Sequence, residues 1–351
     1  MNSFPGKQPS QNFRVALFWY PEEKGGIVRC VLCPWNCRIR EGRFGYCGVR
    51  YNHEGTLFTA IYGAVSSKAV DPIEKKPLFH FFPGTLVYSL GTIGCNLRCK
   101  HCQNWEIAHA KAYGYFHYLE HYSPEIAVKE AIETGSSGIA LTYNEPTIWI
   151  EYAIDVFRLA KEKGLYTVFV TNGFINEEPL RELASYLDAY RVDVKGITEK
   201  SYTQIANLKK FRAILKAAEM AYHELKMHVE VVTNVIPGVN DSEEELRKIA
   251  IWIRDNLSRK VPWHVTRFYP YLGFSHLYPT PLNTLERAYQ IGKEEGLEFV
   301  YLGNVPGHAY ENTNCPKCGK TVIKRRGFYI EEKSTVDGHC VYCDYDLNIV
   351  E

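Results

Sequence analysis

The sequence predicts an α/β fold: a partial or complete parallel (β/α) barrel of about six units, flanked by small cysteine-rich modules at both ends. Three observations predict it. Short β-branched runs alternate with longer amphipathic stretches from residue 85 to residue 305, the pattern of repeated βα units around a parallel sheet. The 11 cysteines fall into three tight groups with none left over. Hydrophobic residues make up 46% and charged residues 23% of the 351, ordinary globular usage that excludes wholesale disorder.

Net charge is +1, which gives no global attraction to nucleic acid or to an anionic membrane. No apolar run is long enough to cross a bilayer, and the polar start of the chain lacks a signal-peptide pattern, so a cytoplasmic setting is expected.

Residues 1–84 form a predicted N-terminal module carrying Cys30, Cys33, Cys37 and Cys47 among glycines and arginines. A segment this rich in loops needs a metal to organise it, and its four thiolates suit zinc or an iron–sulfur cluster. Residues 85–305 form the predicted barrel. Strands are expected over 86–90, 138–142, 166–171, 189–194, 228–235, 263–268 and 298–302, with helices over 124–133, 148–163, 178–186, 211–222, 243–256 and 281–295. Ser123-Pro124 supplies a cap and a first-turn proline, and Asp241-Ser242 precedes three glutamates in a favourable first turn. An open flavodoxin-like sheet is the competing arrangement, because periodicity alone does not order the strands. Residues 306–351 form a third module, with Cys315-x2-Cys318 and Cys340-x2-Cys343 as two knuckles. Four thiolates there suit zinc or a single iron, and the segment is too short to bury much core without the metal. This part is similar to a zinc ribbon or a rubredoxin.

The central group carries the chemistry. Cys95, Cys99 and Cys102 have CxxxCxxC spacing and follow the first predicted barrel strand, where parallel α/β folds place their active sites. Three thiolates leave one metal position open. The competing reading is a zinc site completed by His101 or His109.

With these residues the chain resembles the radical SAM superfamily, in which the residue before the third cysteine is usually aromatic; His101 stands there. The resemblance implies a [4Fe–4S] cluster on Cys95, Cys99 and Cys102 and S-adenosyl-L-methionine chelated at the open iron. It also implies reductive cleavage to a 5′-deoxyadenosyl radical that abstracts hydrogen from a substrate, which asks for a strongly reducing cluster. Cofactor contacts are implied at successive strand ends. Asn144-Glu145-Pro146 replaces a Gly-Gly-Glu-Pro-like segment, with the Glu-Pro kept, and Thr171-Asn172-Gly173 matches the activating enzymes of glycyl-radical proteins. Ile236 resembles the wall beside the adenine, and Arg267 stands at the next strand end. Asp193 and Lys195 share a face by strand alternation, which suits either cofactor contacts or a salt-bridged rim pair.

Cys-x2-Cys-Pro-x2-Cys at residues 30–37, Cys102-Gln103-Asn104 and the terminal knuckles together resemble the AmmeMemoRadiSam-system radical SAM enzymes, relatives of the pyruvate formate-lyase activating enzyme. That resemblance implies the partner proteins of that system and does not settle the reaction; the Cys102-Gln103-Asn104 and Thr171-Asn172-Gly173 segments favour an activating-enzyme-like protein substrate, with an electron donor such as ferredoxin. The alternatives are a radical SAM enzyme that modifies RNA, disfavoured by the near-neutral charge, and a non-enzymatic assembly protein with zinc in all three sites.

Overall fold

A computed structural model describes residues 12–22, 25–112, 119 and 121–351. Its centre is an eight-stranded sheet of β7 to β14, introduced below after the N-terminal strands.

Six short strands build the N-terminal module. β1 (Arg14–Val15), β5 (Arg50–His53) and β6 (Thr56–Thr59) make one antiparallel sheet; β2 (Trp19–Pro21), β3 (Val28–Cys30) and β4 (Arg38–Ile39) make another. The large sheet follows in strict chain order: β7 (Ser67–Pro72), β8 (Leu86–Gly91), β9 (Gly138–Leu141), β10 (Tyr166–Thr171), β11 (Ala189–Asp193), β12 (His228–Val235), β13 (Trp263–Arg267) and β14 (Val300–Gly303). β7 runs antiparallel to β8, and every later pair is parallel.

Monotone order decides between the two predicted arrangements. Parallel crossovers are right-handed, so seven parallel strands that each pair with their predecessor put all their helices on one face. A flavodoxin-like sheet reverses direction at a switch point, and this one does not. The sheet therefore curls as a partial barrel, with β7 and β14 as its two edges.

The outer helices follow from sequence. After α1 (Trp105–Ala108), α2 (Pro124–Glu133) starts where the Ser123 side chain accepts from the Ile126 amide, with Pro124 in the first turn. α3 (Ile150–Glu162) lays Ala153, Val156, Phe157 and Ala160 onto the sheet. α4 (Glu177–Ala184), α5 (Glu199–Ala206) and α6 (Arg212–His223) come next, and α7 (Glu243–Asn256) is capped by Ser242 as expected. α8 (Leu282–Glu294) closes the series. α5, absent from the sequence expectation, is short but capped at both ends: Thr198 accepts from the Ser201 amide, and Asn207 takes the left-handed conformation at φ 51°.

β7 is the other addition. It lies within the segment the sequence assigned to the N-terminal module, yet it pairs along its whole length with β8. β15 (Thr313–Asn314), β16 (Thr321–Arg326) and β17 (Tyr329–Lys333) form the C-terminal sheet, and β18 (Thr335–Val336) pairs with β19 (His339–Cys340). This ribbon shares a small core of Phe79, Phe299, Tyr301, Val322, Ile323 and Leu347 with the barrel. Phe299 precedes β14, so the ribbon packs at the amino ends of the parallel strands. Among the described residues, no helix is long and apolar enough to cross a membrane.

Candidate active site

β8 delivers the central cysteines to the opposite, carboxyl end of the sheet. Gly91 ends the strand, and Gly94, at φ +88°, turns the chain into the loop. A β-carbon at Gly94 would stand 2.5 Å from Val49 Cγ1 and 3.0 Å from the Cys47 carbonyl, so only glycine lets the loop lie on the N-terminal module. Three asparagines fix that loop. Asn144 accepts from the Thr92 amide at 3.1 Å and donates to the Gly94 carbonyl at 2.8 Å. Asn96 donates to the Phe174 carbonyl at 2.7 Å. Asn172 donates to Asn96 Oδ1 at 2.9 Å and lies 3.7 Å from Cys95 Sγ, which also accepts from the Leu97 amide at 3.3 Å.

Glu145 is fully buried and ties two strand ends together. Its carboxylate accepts from the Thr147 amide at 2.9 Å, the Thr171 hydroxyl at 2.6 Å and the Asn172 amide at 2.8 Å. Burial pushes its pKa above the ordinary carboxylate range, against those three donors. Burial, then Glu145, then Cys99, raise the Cys95 thiol well above its usual value, and burial takes Cys102 to about 11. A positive metal centre would reverse that order, because coordination deprotonates thiols. His101 is held neutral by burial, with its pKa pushed down to about 3, and its Nδ1 has no partner among the described residues.

β11 aims a charged column into the concave face beneath the loop. Arg191 and Asp193 alternate onto one side and pair with each other, and Lys195 reaches Asp193 at 3.0 Å. The two cations outweigh burial and lower Asp193 to about 2. Across the lumen Tyr143 donates to Asp71 at 2.9 Å, Asp71 pairs with Lys76 at 2.6 Å, and Arg191 donates to the Lys76 carbonyl at 3.1 Å.

Asn144, Glu145, Thr171 and Asn172 thus meet around the cysteine loop, with Lys195 near Cys99. Ile236 is buried in the turn after β12, and its amide donates to Asn240 at 2.6 Å. Arg267 is spent on the rim, donating to the Thr280 carbonyl at 3.0 Å. Asp193 has both oxygens engaged by cations, the salt-bridged arrangement the sequence left open. Asn96, Tyr143, Asp71 and Lys76 were not singled out from sequence. Asn96 lies inside the cysteine motif and Tyr143 inside the Thr142–Pro146 segment, but Asp71 and Lys76 carry no local signal.

The remaining cysteines divide by spacing. Cys315, Cys318, Cys340 and Cys343 bring their sulfurs within 4.8 Å of one another, with Cys315–Cys343 at 3.5 Å and Cys318–Cys340 at 3.8 Å. A tetrahedron with metal–sulfur bonds of ~2.3 Å has edges of about 3.8 Å, so this quartet fits a single ion.

Residues 90–250 match the family model described as the Radical SAM superfamily. The chain is 41% identical over 339 residues to a Methanocaldococcus jannaschii protein named "Uncharacterized protein MJ0808", covering 96% of this chain and 99% of that one. The chain belongs to the radical SAM superfamily. It is also 22% identical over 224 residues to the pyruvate formate-lyase 1-activating enzyme of Escherichia coli K12, covering 59% of this chain and 89% of that enzyme. The pyruvate formate-lyase-activating enzyme of Staphylococcus epidermidis is 27% identical over 248 residues, covering 64% and 92%. This radical SAM enzyme is therefore related to activating enzymes. The family implies a [4Fe–4S] cluster and S-adenosyl-L-methionine, and the donor set fits. Three thiols share one loop, Asn172 and an amide are directed at a thiol sulfur, and the neighbouring His101 Nδ1 lacks a partner among the described residues.

Proposed function

We propose that Cys95, Cys99 and Cys102 hold the [4Fe–4S] cluster with one iron open to S-adenosyl-L-methionine, and that the hydrogen donor is a residue of a partner protein. The observation that carries the first half is a three-thiol loop at the carboxyl end of β8, immobilised by Asn96, Asn144 and Asn172. When bound, the cluster and S-adenosyl-L-methionine supply an electron and a 5′-deoxyadenosyl radical. This chain's own residues do the rest. Asn172 and the Leu97 amide direct N–H dipoles at the Cys95 sulfur and stabilise added negative charge. Glu145 fixes the Thr171–Asn172 turn and presents a carboxylate edge to the methionyl amine. Lys195 places a cation beside Cys99, suited to the methionyl carboxylate. Ile236 would line the adenine side, His101 stands beside Cys102 in the loop, and Arg267 stands at the rim.

A protein substrate is supported by the names of the two activating enzymes above, each of which acts on pyruvate formate-lyase. We include in the proposal the AmmeMemoRadiSam partner families and a ferredoxin as electron donor. The domain limits 1–84, 85–305 and 306–351, and zinc or iron on the outer cysteines, belong to the same reading. The test is 5′-deoxyadenosine formation after anaerobic reconstitution with iron and sulfide, in the presence of S-adenosyl-L-methionine and dithionite. Formation that is lost in Cys99→Ala is expected. Undiminished formation in that variant overturns the cluster assignment.

A further inference from the structure

The N-terminal cysteines are neither a copy of the C-terminal quartet nor a remote appendage. The Cys30 amide donates to the Cys37 carbonyl at 3.0 Å, and the Asn36 amide to the Cys33 carbonyl at 3.0 Å, closing residues 30–37 into a tight loop. A second loop brings Cys47 to it. The Gly45 amide donates to the Arg50 carbonyl at 2.8 Å, a β-carbon on Gly45 would stand 3.9 Å from Cys37 Cβ, and Arg50 Nη1 lies 3.9 Å from Cys30 Sγ. Cys30, Cys33 and Cys47 are buried.

The spacing within that group is informative. Among the described residues, the C-terminal quartet is the one set of three or more ligand atoms that closes within 4.8 Å. The N-terminal four do not, and neither do Cys95, Cys99 and Cys102. A single ion draws its thiolates to about 3.8 Å. A polynuclear cluster spreads them over separate irons and needs them further apart.

The two wider groups are in contact. Trp35, between Cys33 and Cys37, donates its indole N–H to the carbonyl of Asn96, next to Cys95, at 2.7 Å. Arg98 donates to the carbonyl of Tyr46, next to Cys47, at 3.1 Å, and the Trp35 and Tyr46 rings stand 4.6 Å apart.

We propose that Cys30, Cys33, Cys37 and Cys47 hold a second, polynuclear iron–sulfur cluster that passes single electrons to the centre at Cys95, Cys99 and Cys102 across the Trp35–Asn96 contact. The transfer half rests on the function proposed above; the site itself does not. A low-potential one-electron donor protein of the ferredoxin class, or dithionite, reduces the N-terminal cluster by one electron. That electron moves on, reoxidising the first cluster and reducing the second, with no bond or proton exchanged.

The experiment uses the full chain, reconstituted anaerobically, with acid-labile sulfide and zinc counted per chain. Wild type is expected to carry about eight sulfides if both clusters are [4Fe–4S], or about six if the N-terminal one is [2Fe–2S]. About four sulfides with zinc on the N-terminal group overturns the proposal, and this count needs no variant to fold. The double variant Cys33→Ala/Cys37→Ala should lose only its own share of sulfide. The triple variant Cys95→Ala/Cys99→Ala/Cys102→Ala should lose only about four. If the triple variant loses all sulfide, this inference fails; if it loses none, the proposed function fails instead. Low-temperature electron paramagnetic resonance of the dithionite-reduced wild type should show broadening from two interacting spins. A spectrum equal to the sum of the two variants' spectra overturns the contact route.

Discussion

Removing Glu151 alone should cost this protein far more than removing Glu151 together with Arg50. Arg50 and Glu151 form an ion pair with side chains 1% and 3% exposed, joining β5 to α3. The same Glu151 oxygen accepts from the Leu17 amide at 2.7 Å, and Arg50 donates to the Leu17 carbonyl at 2.7 Å. The pair therefore pins the N-terminal module to the barrel. Breaking a buried pair strands the surviving charge and costs about 3–5 kcal/mol. The Leu17 amide, left without its acceptor, adds about 1–3 kcal/mol. Glu151→Leu is thus expected to lose roughly 4–8 kcal/mol on these two terms. Arg50→Met/Glu151→Leu strands no charge. Among the described residues Arg50 Nε and Glu151 Oε2 already lack partners, so the native pair is incompletely satisfied. Replacing such a pair with apolar side chains is often neutral or stabilising, which leaves the Leu17 amide without its acceptor, at about 1–3 kcal/mol, and the Leu17 carbonyl without the Arg50 donor, at about 1 kcal/mol. Urea unfolding of the metal-loaded chain, followed by tryptophan fluorescence, measures Glu151→Leu, Arg50→Met and the double variant, and with them the coupling between the sites. A double variant as unstable as Glu151→Leu, or a single-variant cost under about 1 kcal/mol, would refute the reasoning.

Two further outcomes follow from the geometry. Burial pushes His80 down to about 3, with Nδ1 3.0 Å from the Leu347 carbonyl and Nε2 2.6 Å from the Tyr301 hydroxyl. The unfolded chain takes up that proton near the ordinary value of about 6.5, so the stabilisation is full above that pH and declines as pH falls toward 3. Between the two values the slope is at most about 1.4 kcal/mol per pH unit. His80→Gln should remove that slope from urea midpoints measured between pH 5 and 6.5 (a window taken from the ordinary histidine range), and an unchanged slope would assign the titration elsewhere. Asn172→Leu removes a donor from Cys95 and should lower the midpoint potential of the cluster proposed there by tens of millivolts; a potential unchanged in spectroelectrochemical titration would show that the 3.7 Å contact does not reach the metal centre.

What the sequence displayed and what it hid have separate causes. The parallel strands were legible because they are buried on both faces and most read as short runs rich in apolar and β-branched residues, β11 with its Arg191 and Asp193 being the most polar. β7 was hidden because Ser67–Pro72 is an edge strand with alternating partial exposure and no apolar run, so nothing local separates it from a loop. For α5 only the Thr198 cap marks the start. Cysteine spacing identified all three thiol groups because ligands to one site lie close in sequence. It could not show how far apart the sulfurs stand, which is what separates the C-terminal quartet from the other two groups. The contacts that join the groups, Trp35 to Asn96 and Arg50 to Glu151, span 61 and 101 residues and leave no periodic trace.

The placement of the ribbon bears on what its metal is for. The knuckles rest on Phe79, Phe299 and Tyr301, Arg325 donates to the Phe79 carbonyl at 2.9 Å, and Lys260, just before β13, pairs with Asp346 at 2.9 Å. All of these lie at the amino ends of the parallel strands, whereas the three-cysteine loop stands at the carboxyl end. A substrate held at the open iron would meet the N-terminal module and the strand-end turns before it met the ribbon. A metal held by the four thiols would supply most of the ribbon's own stability, because its shared core is small. The two ends of the barrel thus divide the work. Under the function proposed above, a partner protein would meet the surface around residues 30–50, at the end of the barrel that carries the three-cysteine loop, before it met the C-terminal knuckles.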